Sequence, residues 1–351
     1  MKDNAASGSS GVGKTALVIG LGRMGMRHVE ALKSTGVAAI LGWDPRAEAK
    51  EMATQAGVTW LEKIGDAAGA SPQIAIIAST APAHVDNLRS VAALKTVRAV
   101  LCEKPMACSL AECDAMTALA ARENIRLGVN FYRRYSAPYL ALKQMGDDGK
   151  IMGGFVSMIV TCGAGGMACN GIHYLDLARW LFGCEARAVS AFYRDLKLPV
   201  TRGQAFEDPG LYAVVHFAGG QRLFLDFSDD FGLGQRVEIC APHGRVLIDE
   251  ESCAIQIQHR PEEARPTTLR FYGASLQPLE FPYQHPAQLI ATASAAAKNL
   301  LDEDSPIAST AEDGRHAVEL YVAMRLSAGR GGEAVLLPLP SAHDGDYYPI
   351  T

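Results

Sequence analysis

The chain has 351 residues, 48% apolar and 20% charged, with a net charge of −5, a length that suits two domains with separate cores. The mild negative charge gives no electrostatic reason to expect nucleic acid, and no apolar run nears the ~20 residues that span a bilayer. Eight cysteines without a C-x-x-C pair read as buried thiols in a reducing, cytoplasmic setting, with no metal site expected.

Met1 to Lys14 reads as a flexible leader without the apolar core of a secretion signal. Gly8-Ser-Ser-Gly-Val-Gly13-Lys14-Thr15 matches the G-x-x-x-x-G-K-[ST] phosphate-loop pattern. That loop needs a strand before it and a helix after it. Here a polar tail precedes it and a strand follows, so a nucleoside-triphosphate site is rejected.

Ala16 to Ile19 predicts a short buried strand. Gly20, Gly22 and Gly25 then fall in G-x-G-x-x-G spacing: the first suits a tight turn, the second a close approach to pyrophosphate, the third close packing of helix on strand. Met26 to Ser34 predicts the helix, whose N-terminus would hold phosphates. A second strand, Ala38 to Trp43, ends at Asp44, placed to accept the hydroxyls of an adenosine ribose. That carboxylate would repel a 2′-phosphate and favour NAD, although Arg46 can pair with such a phosphate and leaves NADP open.

Ala47 to Ala56 predicts a helix, Ile74 to Ala78 and Ala99 to Cys102 strands, Leu110 to Arg122 a helix and Arg126 to Asn130 a strand. Strands alternating with helices imply a parallel sheet covered on both faces. Beyond residue 131, Gly153 to Thr161, Leu211 to Phe217, Arg222 to Phe227, Arg236 to Cys240 and Val246 to Asp249 read as consecutive strands of an open, mainly antiparallel sheet. Helices at His173 to Phe182, Ala287 to Leu301 and Ala311 to Leu326 are expected to cover it. Pro338 to Thr351 reads as extended. The fold class is α/β: a leader over 1–14, a dinucleotide-binding Rossmann domain over 15–131, and an α+β substrate-binding and oligomerisation domain over 132–351.

Two segments carry chemistry. Glu103-Lys104-Pro105 follows a parallel strand, and ligands bind beyond the carboxyl ends of such strands. Lys104 is there either a pre-aimed catalytic lysine or a surface lysine on a turn. In Cys169-Asn170-Gly171-Ile172-His173-Tyr174-Leu175-Asp176, helical spacing puts Cys169, His173, Asp176 and Trp180 on one side. His173 either trades a proton with a hydroxyl or is a buried histidine satisfied by Asp176.

Gly20-Leu-Gly22-Arg-Met-Gly25, Thr80-Ala-Pro82-Ala-His84, Glu103-Lys104-Pro105 and Gly171-Ile-His173-Tyr-Leu-Asp176-Leu-Ala-Arg179-Trp180, in this order, resemble the Gfo/Idh/MocA oxidoreductases. Asn130 with Arg133 or Arg134, and Thr310-Ala-Glu-Asp-Gly314, resemble further family segments. The resemblance implies NAD or NADP held by Gly20, Gly22, Arg23, Met24, Gly25, Asp44, Arg46, Thr80, Pro82, His84, Glu103 and Lys104. It implies Lys104 and His173 as catalytic residues acting on a sugar, polyol or sugar derivative. Lys104, Tyr132, Arg133, Cys169, Asn170, His173 and Tyr174 are the expected substrate contacts, and a homodimer or homotetramer the expected assembly. One departure stands out: many members have aspartate where this chain has Cys169. It motivates an alternative, a catalytically silent NAD(P)-binding redox sensor.

Overall fold

A computed structural model describes residues 13–163, 165–194, 205–228, 232, 234–266, 276–283 and 288–350. Residues 1–12 of the leader, most of the phosphate-loop-like motif, and Ala287 lie outside the described residues.

The chain opens with β1 (Thr15–Ile19), α1 (Arg23–Lys33), β2 (Ala39–Trp43), α2 (Ala49–Gln55), β3 (Thr59–Trp60), β4 (Ile74–Ile77), α3 (His84–Ala93), β5 (Ala99–Cys102), α4 (Leu110–Arg122) and β6 (Arg126–Val129). Then come α5 (Ala137–Asp148), β7 (Ser157–Cys162), α6 (Ile172–Phe182), β8 (Ala186–Tyr193), β9 (Leu211–Phe217), β10 (Arg222–Phe227), β11 (Arg236–Ala241), β12 (Gly244–Asp249), β13 (Ala254–His259) and β14 (Gln277–Leu279). The chain closes with α7 (Leu289–Leu301), α8 (Ala311–Gly329) and β15 (Val335–Leu336).

The chain divides into two compact units. The first comprises residues 1–106, 112–135 and 289–312, the second residues 107–111, 136–288 and 313–351. The consecutive division expected at 131/132 is interleaved in this clustering: residues 107–111 join the second unit, and residues 132–135 and 289–312 the first.

In the first unit six parallel strands lie in the order β3-β2-β1-β4-β5-β6. The order reverses between β1 and β4, which is where open α/β sheets open a ligand crevice. β4 and β5 are buried along their whole length, as expected of strands covered on both faces. One cover was misassigned from sequence. α7 does not cover the second sheet: Ala296, Ala297, Leu300 and Leu301 join the core of the first, together with Ala16, Val18, Ile74 and Leu101. The hydroxyl of Ser34, just after α1, donates to Ser294 of α7 at 2.9 Å. An alanine-rich helix presents a small, weakly distinctive face, so its pattern predicts burial but not the partner.

The second unit holds nine strands in the order β14-β13-β12-β11-β7-β10-β9-β8-β15. All pairs are antiparallel except β7 with β10. Burial alternates along β9 and β10, so one face is packed. On that face Phe182 of α6 meets Phe217 edge-on at 5.1 Å, and the Ser327 hydroxyl of α8 accepts the N–H of Ala191 at 2.9 Å. The opposite face presents Ile159, Phe192, Tyr212 and Phe224, each 36–39% exposed.

Among the described residues no helix is long and apolar enough to cross a membrane, and no group of three or more His, Cys, Asp or Glu side chains is arranged to hold a metal ion.

Candidate active site

In the first unit the glycine turn leaves β1. Gly20 has φ +87°, and a Cβ there would lie 2.7 Å from backbone atoms of Ala78 and Ser79 at the end of β4. Only glycine meets both demands. A Cβ on Gly25 would lie 1.8 Å from the Gly20 carbonyl oxygen, so α1 packs directly on the turn. At Gly22, among the described residues and apart from its chain neighbours and the backbone of α1, such a Cβ would meet only the tip of Arg46, at 3.5 Å. Gly22 opens α1 with no side-chain cap and no acidic residue in the first turn. Uncapped N–H groups at the positive end of a helix are a ready anion site. The turn therefore fits the pyrophosphate of a dinucleotide.

Asp44 follows β2 directly and is only 4% exposed. Its Oδ2 accepts the Leu21 N–H at 2.7 Å, which ties the strand end to the glycine turn. Both oxygens also accept from Arg46: Oδ1 from the backbone N–H and Nε, Oδ2 from Nη2, each at 2.9 Å. Burial works against the charged form, but the hydrogen bonds from Arg46 and Leu21 outweigh it and hold the carboxyl below its usual range. The Arg46 side chain is more than half exposed. Of the other expected cofactor contacts, Arg23 and Thr80 are exposed and Met24 and Pro82 half-buried, all beyond the carboxyl ends of β1 and β4.

Beyond β5 lies a buried network that the sequence does not reveal. Glu103 Oε1 accepts from His28 Nε2 of α1 at 2.7 Å and from Asn130 Nδ2, just past β6, at 2.8 Å. Glu103 Oε2 accepts the backbone N–H of Lys104 at 3.3 Å. Glu103, His28 and Asn130 are all at most 6% exposed. Burial pushes the Glu103 carboxyl up, but the His28 hydrogen bond, the charges of His28 and Lys104, and the Asn130 amide together hold it at about 2. Three elements thus converge on one carboxylate at the foot of Lys104.

Two expected cofactor contacts turn inward. Glu103 is committed to this network. His84 is 1% exposed, with Nδ1 3.0 Å from the Met106 carbonyl oxygen and Nε2 3.0 Å from that of Ser79. Burial lowers its pKa, which favours the neutral ring. Both side chains are buried in hydrogen bonds that brace these loops.

Of the expected substrate contacts in the first unit, Tyr132 and Arg133 occupy the turn after β6. The Arg133 guanidinium lies over the Tyr132 ring, 4.5 Å from its centre. Arg133 is nearly fully buried and Tyr132 half-buried.

In the second unit a π-helical turn, Met167–Gly171, runs into α6. Cys169 and Asn170 on this turn are partly exposed, and His173 is 8% exposed. Tyr174 corrects an expectation. It is fully buried, its hydroxyl donates to Gln235 at 2.8 Å, and its ring lies 6.0 Å from that of Phe227. One position beyond His173 is about 100° around a helix, here toward the sheet, so Tyr174 is a core residue.

An open parallel sheet with a glycine turn at its switch point, an uncapped helix end and an acidic residue just past β2 defines a dinucleotide-binding domain. Family comparison agrees over most of the chain: residues 14–131 match the oxidoreductase family's NAD-binding Rossmann fold, and residues 163–336 its C-terminal alpha/beta domain. The chain belongs to the Gfo/Idh/MocA oxidoreductase family. It is 30% identical to an inositol 2-dehydrogenase of Streptomyces avermitilis over 260 residues, 66% of this chain and 71% of that one. It is 26% identical to the scyllo-inositol 2-dehydrogenase (NAD(+)) of Bacillus subtilis over 250 residues, 66% and 72% of the two chains. Among solved structures, GenD2 from gentamicin A biosynthesis, crystallised with NAD, shares the fold with a TM-score of 0.74 at 22% identity, over 95% of this chain and 99% of that one. An inositol dehydrogenase homolog from Azotobacter vinelandii, complexed with NAD+, does so with a TM-score of 0.76 at 16% identity, over 93% and 98%.

Proposed function

We propose that the chain interconverts a secondary hydroxyl and a ketone on a cyclic polyol, sugar or sugar derivative, using NAD in preference to NADP. When bound, the nicotinamide exchanges a hydride with the substrate carbon. Lys104 donates hydrogen bonds to the reacting oxygen and stabilises the negative charge that develops on it. His173 takes up or returns the hydroxyl proton. Tyr132, Arg133, Cys169 and Asn170 are assigned to substrate contacts. Asp44 receives the ribose hydroxyls and disfavours a 2′-phosphate. The exposed apolar face of the second sheet is assigned to homo-oligomer contact, and the protein to the cytoplasm.

The observation that carries the reading is the Lys104 turn. A lysine beyond a buried strand, its backbone fixed by a buried carboxylate that three elements share, is a positioned group and not a casual surface charge. Inositol dehydrogenases among the relatives, and a levoglucosan dehydrogenase solved with NADH and L-sorbose among the structural neighbours, support the substrate class.

Turnover on myo-inositol, scyllo-inositol, aldoses and nucleotide sugars tests the proposal. Lys104→Ala is expected to keep NAD affinity and to lose about a hundredfold or more in turnover. His173→Ala is expected to lose as much and to flatten the pH–rate profile near neutrality. Wild-type turnover in both variants would refute the mechanism. A second reading, a silent NAD-binding redox sensor, is favoured by Cys169, a partly exposed thiol on the His173 turn. Tight NAD binding with no turnover on any of these substrates would select it.

A further inference from the structure

Asp208 stands just before β9, and no sequence motif marks it. Its Oδ1 accepts the backbone N–H of Ala168 at 2.7 Å, and its Oδ2 accepts that of Cys169 at 3.0 Å. These N–H groups lie at the start of the turn that runs into α6. Neither the turn nor the first turn of α6 has an acidic residue of its own, so Asp208 brings negative charge to the positive end of this helix from 40 residues downstream. Gly166 makes room for it: a Cβ there would lie 1.7 Å from Oδ2.

The neighbouring residue is anchored as firmly. The Glu207 N–H donates to the Pro349 carbonyl oxygen at 2.8 Å, and its carboxylate accepts from Arg325 Nη2 of α8 at 3.0 Å. Arg325 donates in turn to the Tyr321 hydroxyl at 3.0 Å and lies 4.4 Å from the centre of the Tyr348 ring. Asp208 is therefore presented by a braced segment and grips two successive N–H groups. Cys169, Asn170 and His173 all lie within about one helical turn of that grip.

Resting on the reading of His173 as the acid–base group, we propose that Asp208 is a positioning residue: its carboxylate fixes the turn that carries Cys169, Asn170 and His173 and sets the charge at the start of that turn. It touches no reacting atom in this role. Its influence passes through the backbone of residues 168 and 169 and through the local field.

Cys169 provides a readout independent of turnover. A thiol at a helix N-terminus ionises more readily when no carboxylate occupies the N–H groups. In the full-length protein, iodoacetamide labelling resolved cysteine by cysteine with mass spectrometry is expected to show Cys169 of Asp208→Asn reacting about threefold to tenfold faster than in wild type. Cys184 and Cys253 are expected to stay within twofold. A merely structural loss would speed all of them. On myo-inositol, Asp208→Asn is expected to lower kcat about tenfold or more while the NAD dissociation constant stays within twofold.

If folded Asp208→Asn leaves the Cys169 rate within twofold of wild type, the proposal is overturned. If that variant does not fold, Gly166→Ala decides. It is expected to push the Asp208 carboxylate off the two N–H groups and to raise the Cys169 rate at least threefold with Cys184 and Cys253 unchanged; an unchanged Cys169 rate overturns the proposal. Wild-type turnover in His173→Ala sinks the acid–base reading alone and leaves the labelling result untouched.

Discussion

Replacing Glu103 with glutamine removes one charge from the buried network and keeps its shape. The folded protein holds the Glu103 carboxyl at about 2, against an ordinary 4.5. At ~1.36 kcal/mol per unit, that fall links the ionised side chain to about 3 kcal/mol of stability at neutral pH. Because the folded-state value is depressed, the contribution is present in full above about pH 4.5. It is lost progressively as the pH falls toward 2. Glu103→Gln is therefore expected to be about 3 kcal/mol less stable than wild type at pH 7, with roughly half of that gap left at pH 3. Urea unfolding followed by tryptophan fluorescence measures it, since Trp43 and Trp60 both lie in the first unit. The variant is also expected to lose turnover through the loosened Lys104 turn while keeping NAD affinity, because the proposed cofactor contacts at Asp44 and the glycine turn are untouched. A gap below about 1 kcal/mol at pH 7, or one of equal size at pH 7 and pH 3, would refute the reasoning.

Asp44→Ser is expected to move cofactor preference toward NADP, with Arg46 released to meet a 2′-phosphate; unchanged NAD-to-NADP dissociation ratios by calorimetry would place the ribose elsewhere. Gly25→Ala forces a methyl against the Gly20 carbonyl oxygen and is expected to cost about 1–3 kcal/mol of stability and at least tenfold in NAD affinity; thermal unfolding with and without NAD reads both. Ile159 stands beside Phe224 on the exposed face of the second sheet, so Ile159→Asp is expected to turn a multimeric wild type into a monomer by light scattering. A monomeric wild type would remove the assigned oligomer contact.

What was legible in the sequence is what is local. The glycine turn, Asp44 and the Lys104 turn each form within a few residues, from backbone constraints that particular side chains satisfy. β9 and β10 are apolar-rich runs separated by a glycine turn, and their boundaries could be read directly. β8, β13, α3 and α5 were passed over because their patterns are mixed: β8 leaves both large aromatics, Phe192 and Tyr193, exposed. The supports of the site were hidden for another reason. His28 meets Glu103 across 75 residues and Asp208 meets Cys169 across 39. No periodicity announces such pairs, because each partner would be an ordinary polar residue on any surface.

The return of α7 to the first sheet bears on how the protein is made. Arg126 donates to the carbonyls of Asn299, Leu300 and Ser305, which close the C-terminal end of α7, and Leu300 completes the apolar core around β1 and β5. None of these α7 groups exists until the ribosome has translated residues 136–288 of the second unit. At about 5–20 residues per second, residue 312 follows residue 135 by on the order of 10 to 35 seconds. During that interval the nascent nucleotide-binding sheet stands with one flank uncovered. A chaperone that shields apolar surface on emerging chains has its natural window here, and a polypeptide stopped at residue 131 would keep that flank bare.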